Sequence, residues 1–353
     1  MKTLTVSASR RYEVVIGHGL LPSVGEWVKA LLPKARLAAV VTDSNVAPLY
    51  LETVTASLQA AGFTPVSFVF PAGEQSKNGE TYLALLEFLA ASQITRSDVI
   101  LALGGGVVGD LTGFAAATYL RGTAFIQLPT TLLAAVDSSV GGKTAIDLTA
   151  GKNLAGAFSQ PHLVLCDLDS FHSLPDAVFW DGCAEVIKYG MIGSPQLLQA
   201  LLEKPIHEQL ESVVSLCVSM KRDIVERDEF DEGDRQLLNF GHTLGHAIER
   251  CSKYTLSHGQ AVAIGMMMMT RAAVGQALCP PDCLRVLEQL LERHHLPNHT
   301  SFSDEELYEG ALGDKKRAGG SLTIVVPTAL GECQRSTIPM EELKAWMKGG
   351  RAP

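Results

Sequence analysis

The sequence predicts a mainly parallel α/β domain followed by a helical one, and three observations carry that reading. Short, apolar, β-branched segments alternate with helix-compatible stretches through the first half of the chain. After "HSLPDAVFWDG" that alternation stops and long segments of helical period take over. The length, 353 residues, exceeds the roughly 250–300 at which a single core stops growing, so two domains are expected.

Taken in order, the strand candidates are "YEVVIG" from Tyr12, "LAAVVTD" ending at Asp43, "VSFVF" from Val66, "DVILALGGG" from Asp98, "AFIQLP" from Ala124 and "HLVLCD" ending at Asp167. Strands in this rhythm with helices imply a parallel sheet covered by those helices. From about Cys183 to His294 the pattern is helical, and one late strand, "LTIVVP" at 322–327, interrupts it. The boundary falls near Ser170, which makes 1–169 the α/β domain and 170–353 an all-α domain. "AVAIGMMMM" from Ala261 is too short for a bilayer, which takes about 20 apolar residues, and is read as a buried helix packed by methionines. "CPPDC", with Cys279 and Cys283 around two prolines, is read as a turn between helices.

Composition limits the function classes. With 46% apolar and 19% charged residues the chain is an ordinary soluble globular protein. A net charge of −9 with no long Lys/Arg run argues against a nucleic-acid partner. An anionic small molecule can still be met by local cations. Seven cysteines without a CxxC, behind a start that lacks a secretory apolar stretch, indicate a reducing cytoplasm and no membrane.

Chemistry enters with "NFGHTLGHAIE", 239–249, where His242 and His246 stand four apart. On a helix such a pair shares one face and can address one divalent ion. A packing role for either stays open on spacing alone. A catalytic zinc takes three protein ligands and keeps one position open. Glu185 in "GCAEVIKYG", with Lys188 a turn further on, and His258 in "YTLSHGQAV" are the candidates to complete the set. Spacing does not say which member of the pair coordinates.

In the first half, Gly104, Gly106 and Gly109 form a G-x-G-x-x-G frame after a strand, the arrangement in which backbone approaches a pyrophosphate at a helix N-terminus. The frame reads equally as a Rossmann-like nucleotide-binding turn or as a tight structural turn. The frame follows a fourth or fifth strand rather than the first, and Pro129 stands where an acidic residue is usual; Asp43, ending an earlier strand, is the alternative holder of ribose hydroxyls. "VDSSVGGKTAID" contains GKT, but Asp137 occupies the position of the first Walker glycine, so ATP hydrolysis is rejected. What remains is a cluster of Asp137, Lys143, Lys152 and Asn153 on a glycine-rich loop at the sheet's end.

The ordered set "PAGEQSK", "GGGVVGD", "TYLRG", "PTT", "DSSVGGKTAID", "GKNLAGAF", "AEVIKYG", "RQLLNFGHTLGHAIE", "SHG" and "DKK" resembles the 3-dehydroquinate synthases, within the sugar-phosphate cyclases, from about Asp43 to Lys316. The resemblance implies a dehydroquinate synthase-like fold and a cytoplasmic homodimer with NAD⁺ between the two domains. It implies a phosphate-eliminating carbon–oxygen lyase of the shikimate pathway, leading to chorismate and the aromatic amino acids. The implied substrate is 3-deoxy-D-arabino-heptulosonate 7-phosphate.

By similarity Asp43, Glu74, Lys77, Gly105, Gly106, Asp110, Thr130 and Thr131 would hold the nucleotide, with Lys143, Lys152 and Ser173 beside it. Glu185, His242 and His258 would hold zinc or cobalt, leaving His246 to face the reacting groups. Lys143, Asn153, Asn239, Lys315 or Lys316, and Arg121 of the partner subunit would form the phosphate pocket; Lys221 and Arg235 would receive the carboxylate. Lys188 and Lys152 would line the ring, and Asp137 and His246 would relay protons. The implied chemistry is transient oxidation of an alcohol by NAD⁺, phosphate loss with the phosphate itself able to act as base, re-reduction, ring opening and aldol closure.

Two segments depart from the family pattern. Where T-L-P-x-R-E is usual the chain has "SLPDAV", so Ser173, Ala177 and Val178 stand at the Thr, Arg and Glu positions, and weaker NAD⁺ retention is expected. Gln260 replaces a carboxylate after His258, which is expected to soften support behind that ligand. A sister cyclase without a substrate carboxylate would lack the Lys221 and Arg235 pair, and a metal-dependent polyol dehydrogenase of similar fold would release NADH.

Overall fold

The computed structural model describes residues 1–315 and 320–351, without the side chains of 313–315. They divide into two compact units, Met1–Leu174 with Lys221–Glu229, and Pro175–Met220 with Phe230–Pro353.

The first unit contains β1 (Lys2–Ser7), β2 (Arg11–Gly17), α1 (Val24–Leu31), β3 (Leu37–Asp43), α2 (Glu52–Ala60), β4 (Thr64–Phe70), α3 (Gly79–Ala91), β5 (Val99–Gly104), α4 (Gly106–Thr118), β6 (Ala124–Pro129), β7 (Lys143–Leu148), β8 (Gly151–Phe158) and β9 (Leu163–Asp167). Seven strands form one sheet in the order β1-β2-β9-β6-β5-β3-β4. Only the β1–β2 pair is antiparallel. All six residues of β5 are buried, because successive side chains enter cores on opposite faces. Val99, Leu101 and Leu103 pack with Val28 of α1 and Leu58 of α2. Ile100 and Ala102 pack with Leu85 of α3 and Leu111 of α4.

The expected glycine-rich loop around Lys143 is instead an antiparallel hairpin of β7 and β8, separate from the main sheet. The exposed Leu148, Leu154 and Phe158 hid it from a reading based on burial pattern. No residue of β8 is buried.

The second unit contains α5 (Asp176–Gly193), α6 (Pro195–Glu203), the first part of α7 (Leu210–Arg227), α8 (His242–Cys251), α9 (His258–Gly275), α10 (Pro281–Arg293), α11 (Asp304–Lys315), β10 (Ser321–Ala329), β11 (Glu332–Pro339) and α12 (Leu343–Gly349). Helix α9 is its centre: Ala261 to Thr270 are all buried, including the four consecutive methionines 266–269. The late strand is β10, and it pairs with β11 in a hairpin, so the unit is helical apart from that ribbon. The largely exposed, polar β11 carries no apolar run to announce it. Pro280 and Pro281 start α10, and all seven cysteines are free. No described helix is long and apolar enough to cross a membrane.

Candidate functional site

In the second unit three helices deliver Glu185, His242 and His258 to one point. Glu185 lies mid-α5 with no exposure, while His242 and His258 are the first residues of α8 and α9. Two missing side chains permit this. A Cβ on Gly265 would stand 2.1 Å from the Gly241 carbonyl oxygen, so α9 and the start of α8 touch backbone to backbone. A Cβ on Gly259 would stand 2.0 Å from the Asp181 carbonyl oxygen on α5. There the Gly259 amide donates to Asp181 Oδ1 at 2.6 Å, pinning His258 beside Glu185.

Nε2 of His242 and Nε2 of His258 each lie 3.4 Å from Oε1 of Glu185. All three donor atoms fall within 4.8 Å of one another. A tetrahedral ion with bonds of about 2.1 Å separates neighbouring donors by about 3.4 Å, so the set fits a divalent ion as it stands. The tautomers fit too. Nδ1 of His242 lies 3.2 Å from the Phe240 carbonyl and donates to it, turning the Nε2 lone pair toward Glu185. Burial, then the Lys188 ammonium, push His242 down to about 3 against the pull of Glu185, leaving a neutral imidazole. Burial opposes charge on His258, but the carboxylates of Glu185 and Glu249 outweigh it and push that imidazole up to about 10. Lys188 contacts the other Glu185 oxygen and is equally buried.

His246, a turn along α8, is exposed, with its ring centroid 5.5 Å from that of His242 and 6.2 Å from that of His258. Arg235, at 2% exposure, and Asn239, exposed, lie on the short helical turn Asp234–Asn239 before α8. Ala177 and Val178 are exposed in the first turn of α5. Gln260 is not behind His258: its Oε1 accepts from the Ser257 amide at 3.1 Å, within a capping box that starts α9. The carboxylate beside Nδ1 of His258 is Glu249, at 3.6 Å. The Lys315 side chain and all of Lys316 lie outside the described residues.

In the first unit the sheet order explains why distant residues belong together. Strands β6, β5, β3 and β4 are adjacent and parallel, so their C-terminal ends share one edge, where α/β sheets bind ligands. That edge carries Thr130 and Thr131, Gly105 and Gly106, Asp43, and Glu74. Gly105 caps α4, and a Cβ there would meet Thr131 Cγ2 at 3.1 Å. With no acidic residue in its first turn, the α4 N-terminus offers amides and a positive dipole end to an anion. Thr130 donates its amide to the Gly104 carbonyl at 3.0 Å. Thr131 Oγ1 accepts from the Ala134 amide at 3.1 Å. Asp43 Oδ1 accepts from the amides of Asn45 and Val46.

Lys77, only 4% exposed, places Nζ 2.6 Å from Asp110 Oδ2 and 3.8 Å from Glu74. Burial works against its charge, but Asp110 and Glu74 outweigh burial and raise the ammonium above its ordinary value. The Asp147 amide donates to the Lys77 carbonyl at 2.8 Å, which ties the β7–β8 hairpin to this edge and brings Lys152 within 3.9 Å of Glu74. Lys143 and Asn153 are exposed on that hairpin, Asn153 with a φ of 56°. Asp137 Oδ1 is 2.9 Å from Lys221 Nζ, which also donates to the Asp137 carbonyl. Arg121 is exposed and left-handed at φ 65°, directly after the left-handed Leu120. Ser173 Oγ is 2.6 Å from the Tyr50 hydroxyl, which also donates to the Ser170 carbonyl.

Sequence reasoning passed over Glu249, Asp181 and Tyr50. Glu249 had a signal: it lies two turns after His242 on the same helical face. Asp181 and Tyr50 had none, since each acts through a tertiary contact.

Fold and site together define an α/β unit with a glycine-rich turn at a helix N-terminus, joined in one chain to a helical unit with three donors at metal-ligand spacing. A crystal structure of 2-deoxy-scyllo-inosose synthase complexed with carbaglucose-6-phosphate, NAD⁺ and Co²⁺ shares the fold, with a TM-score of 0.87 at 24% identity, covering 98% of this chain and 99% of that one. Residues 67–181 match the 3-dehydroquinate synthase N-terminal family and residues 182–317 its C-terminal counterpart. A 3-dehydroquinate synthase of Enterococcus faecalis is 42% identical over 353 residues, 98% of each chain. One of Streptococcus gordonii is 44% identical over 344 residues, 96% of this chain and 97% of that one. The chain belongs to the 3-dehydroquinate synthase family.

Proposed function

We propose that the chain converts 3-deoxy-D-arabino-heptulosonate 7-phosphate to 3-dehydroquinate and inorganic phosphate, as a cytoplasmic homodimer. The observation that carries this reading is the convergence of Glu185, His242 and His258 at donor spacing in a chain so similar to named synthases. When bound, NAD⁺ supplies a hydride acceptor that later returns the hydride, and zinc or cobalt supplies a Lewis acid that acidifies an alcohol. Glu185 Oε1 and the two Nε2 atoms would hold the ion. Gly105, Gly106, Thr130 and Thr131 would cradle the pyrophosphate on α4, while Asp43, Glu74, Lys77 and Asp110 orient the rest of the nucleotide.

The remaining side chains bind an anion and move protons. Phosphate and carboxylate bring about three negative charges, which need charge-assisted hydrogen bonds. Lys143, Asn153, Asn239 and Arg121 of the partner subunit meet the phosphate. Arg235 meets the carboxylate, its guanidinium fork matching two oxygens. Lys221 serves that carboxylate while neutralising Asp137, to which it is bonded. The Lys188 ammonium fixes the second oxygen of Glu185 and so holds the first toward the ion. His246, exposed beside the cluster, accepts and returns a proton at a ring nitrogen.

The test is inorganic phosphate release from the heptulosonate phosphate, with NAD⁺ and Zn²⁺ or Co²⁺, with and without a chelator. Release that requires both additions, with no net rise in nicotinamide absorbance, is the expected result. NADH accumulating without phosphate would replace this reading with that of a dehydrogenase.

A further inference from the structure

Glu249 lies on α8 at 3% exposure, and the reaction as described gives it no task. A carboxylate is expensive to bury unless something specific repays its desolvation. Its Oε2 stands 3.6 Å from Nδ1 of His258, whose opposite nitrogen, Nε2, is the one facing Glu185. His242 shows the same plan, with Nδ1 on the Phe240 carbonyl and Nε2 on Glu185. The two imidazoles thus differ in one respect: one leans on a neutral carbonyl, the other on a carboxylate.

We propose that Glu249 is a positioning residue for the metal. Its carboxylate, 3.6 Å from Nδ1 of His258, favours a proton on that nitrogen and so the tautomer that presents Nε2, and adds negative charge to a site built around a divalent cation. This rests on the metal reading above. A carboxylate behind a coordinating histidine raises the basicity of the ligand and fixes its orientation, and loss of such a partner weakens metal binding by about 10–100-fold. The placement also accounts for Gln260, whose side chain caps α9 while Glu249 supplies the acid. His246, Glu249 and His258 also lie within 4.8 Å of one another. A second cation there would require His258 to lose its remaining ring proton while Nε2 is coordinated, whereas donation to Glu249 leaves that imidazole neutral.

The test uses the full chain stripped of metal and titrated with Co²⁺, read by its visible absorption and by competition with a chelator. Wild type is expected to bind one equivalent, and His242→Ala to lose it. If His242→Ala binds like wild type, the metal reading fails and this inference with it. If His242→Ala loses the ion, Glu249→Gln decides the inference. The expected result is binding weakened about 10–100-fold together with a changed Co²⁺ spectrum. Unchanged affinity with an unchanged spectrum would overturn it, as would a second equivalent in wild type that Glu249→Gln removes. A metal-free thermal melt establishes that the Gln variant is folded. Should it not fold, Glu249→Asp takes its place, expected to weaken binding because its carboxylate is one methylene further from Nδ1; unchanged affinity there would equally overturn the inference.

Discussion

Adding one methyl group at Gly259 is expected to dismantle the metal cluster without touching a ligand. The new Cβ would lie 2.0 Å from the Asp181 carbonyl oxygen and 2.7 Å from Asp181 Oδ1. An ordinary carbon–oxygen contact is about 3.3 Å, so α9 must retreat from α5 by about 1.3 Å at that point. His258 is the neighbouring residue and moves with it, whereas metal–ligand distances tolerate only about 0.2 Å. Overpacking of this kind costs about 1–3 kcal/mol of stability, and the loss of one ligand in three costs most of the affinity. The assay is Co²⁺ titration of Gly259→Ala beside wild type, with metal-free melting as the control for folding. A variant that binds Co²⁺ as tightly as wild type would refute the claim that the Gly259–Asp181 contact sets the position of His258.

Further outcomes follow from other contacts. His162, whose Nδ1 accepts from the Phe125 amide, is held down at about 4 by burial and then by Arg10. Its contribution is complete above the unfolded value of about 6.5 and is lost as pH falls toward 4. Urea melts at pH 7.5 and 4.5 should therefore show His162→Gln losing less stability on acidification than wild type, by up to about 3 kcal/mol. Asp98 accepts from the amides of Arg36, Leu37 and Thr95 and from the Thr95 hydroxyl. Burial opposes its charge, but these bonds hold the carboxyl below its usual value. Asp98→Ala should cost at least about 3 kcal/mol at neutral pH, and the deficit should shrink as pH falls through the wild type's lowered value. Lys77→Ala leaves the partly buried Asp110 without the partner now 2.6 Å away, at a cost of about 1–3 kcal/mol; calorimetry should also show weaker NAD⁺ binding. Arg235→Ala should abolish substrate binding while metal analysis still finds about one ion per chain. Loss of the ion would show that Arg235 supports the cluster instead.

The strands flanked by helices were legible because both of their faces are buried. β3 and β5 read as mainly apolar runs and β6 as one interrupted only by Gln127, and their parallel pairing put their C-terminal ends on one edge. β8 and β11 were not legible, since neither shows a buried face along its length. In the second unit, Glu185 and His258 could be picked out as candidate donors by residue type. Helical spacing could not choose between His242 and His246, because both lie on the face that spacing describes. The choice rests on where α8 begins and on the Phe240 carbonyl that turns one ring. Gly259 and Gly265 are silent in the sequence for the same reason: their meaning is the backbone of another helix.

Because its donors come from α5, α8 and α9, a bound ion is also a fastener. Those helices meet only in the native state, so ion binding belongs to folding equilibrium as much as to chemistry. A free ion at a hundred times its dissociation constant adds about 2.7 kcal/mol to the stability of whatever binds it, a large part of the 5–15 kcal/mol typical of a domain. Cells short of zinc or cobalt would then hold less of this protein, since the loosened form is what proteases remove. Abundance would track metal supply before any rate measured on the purified enzyme did.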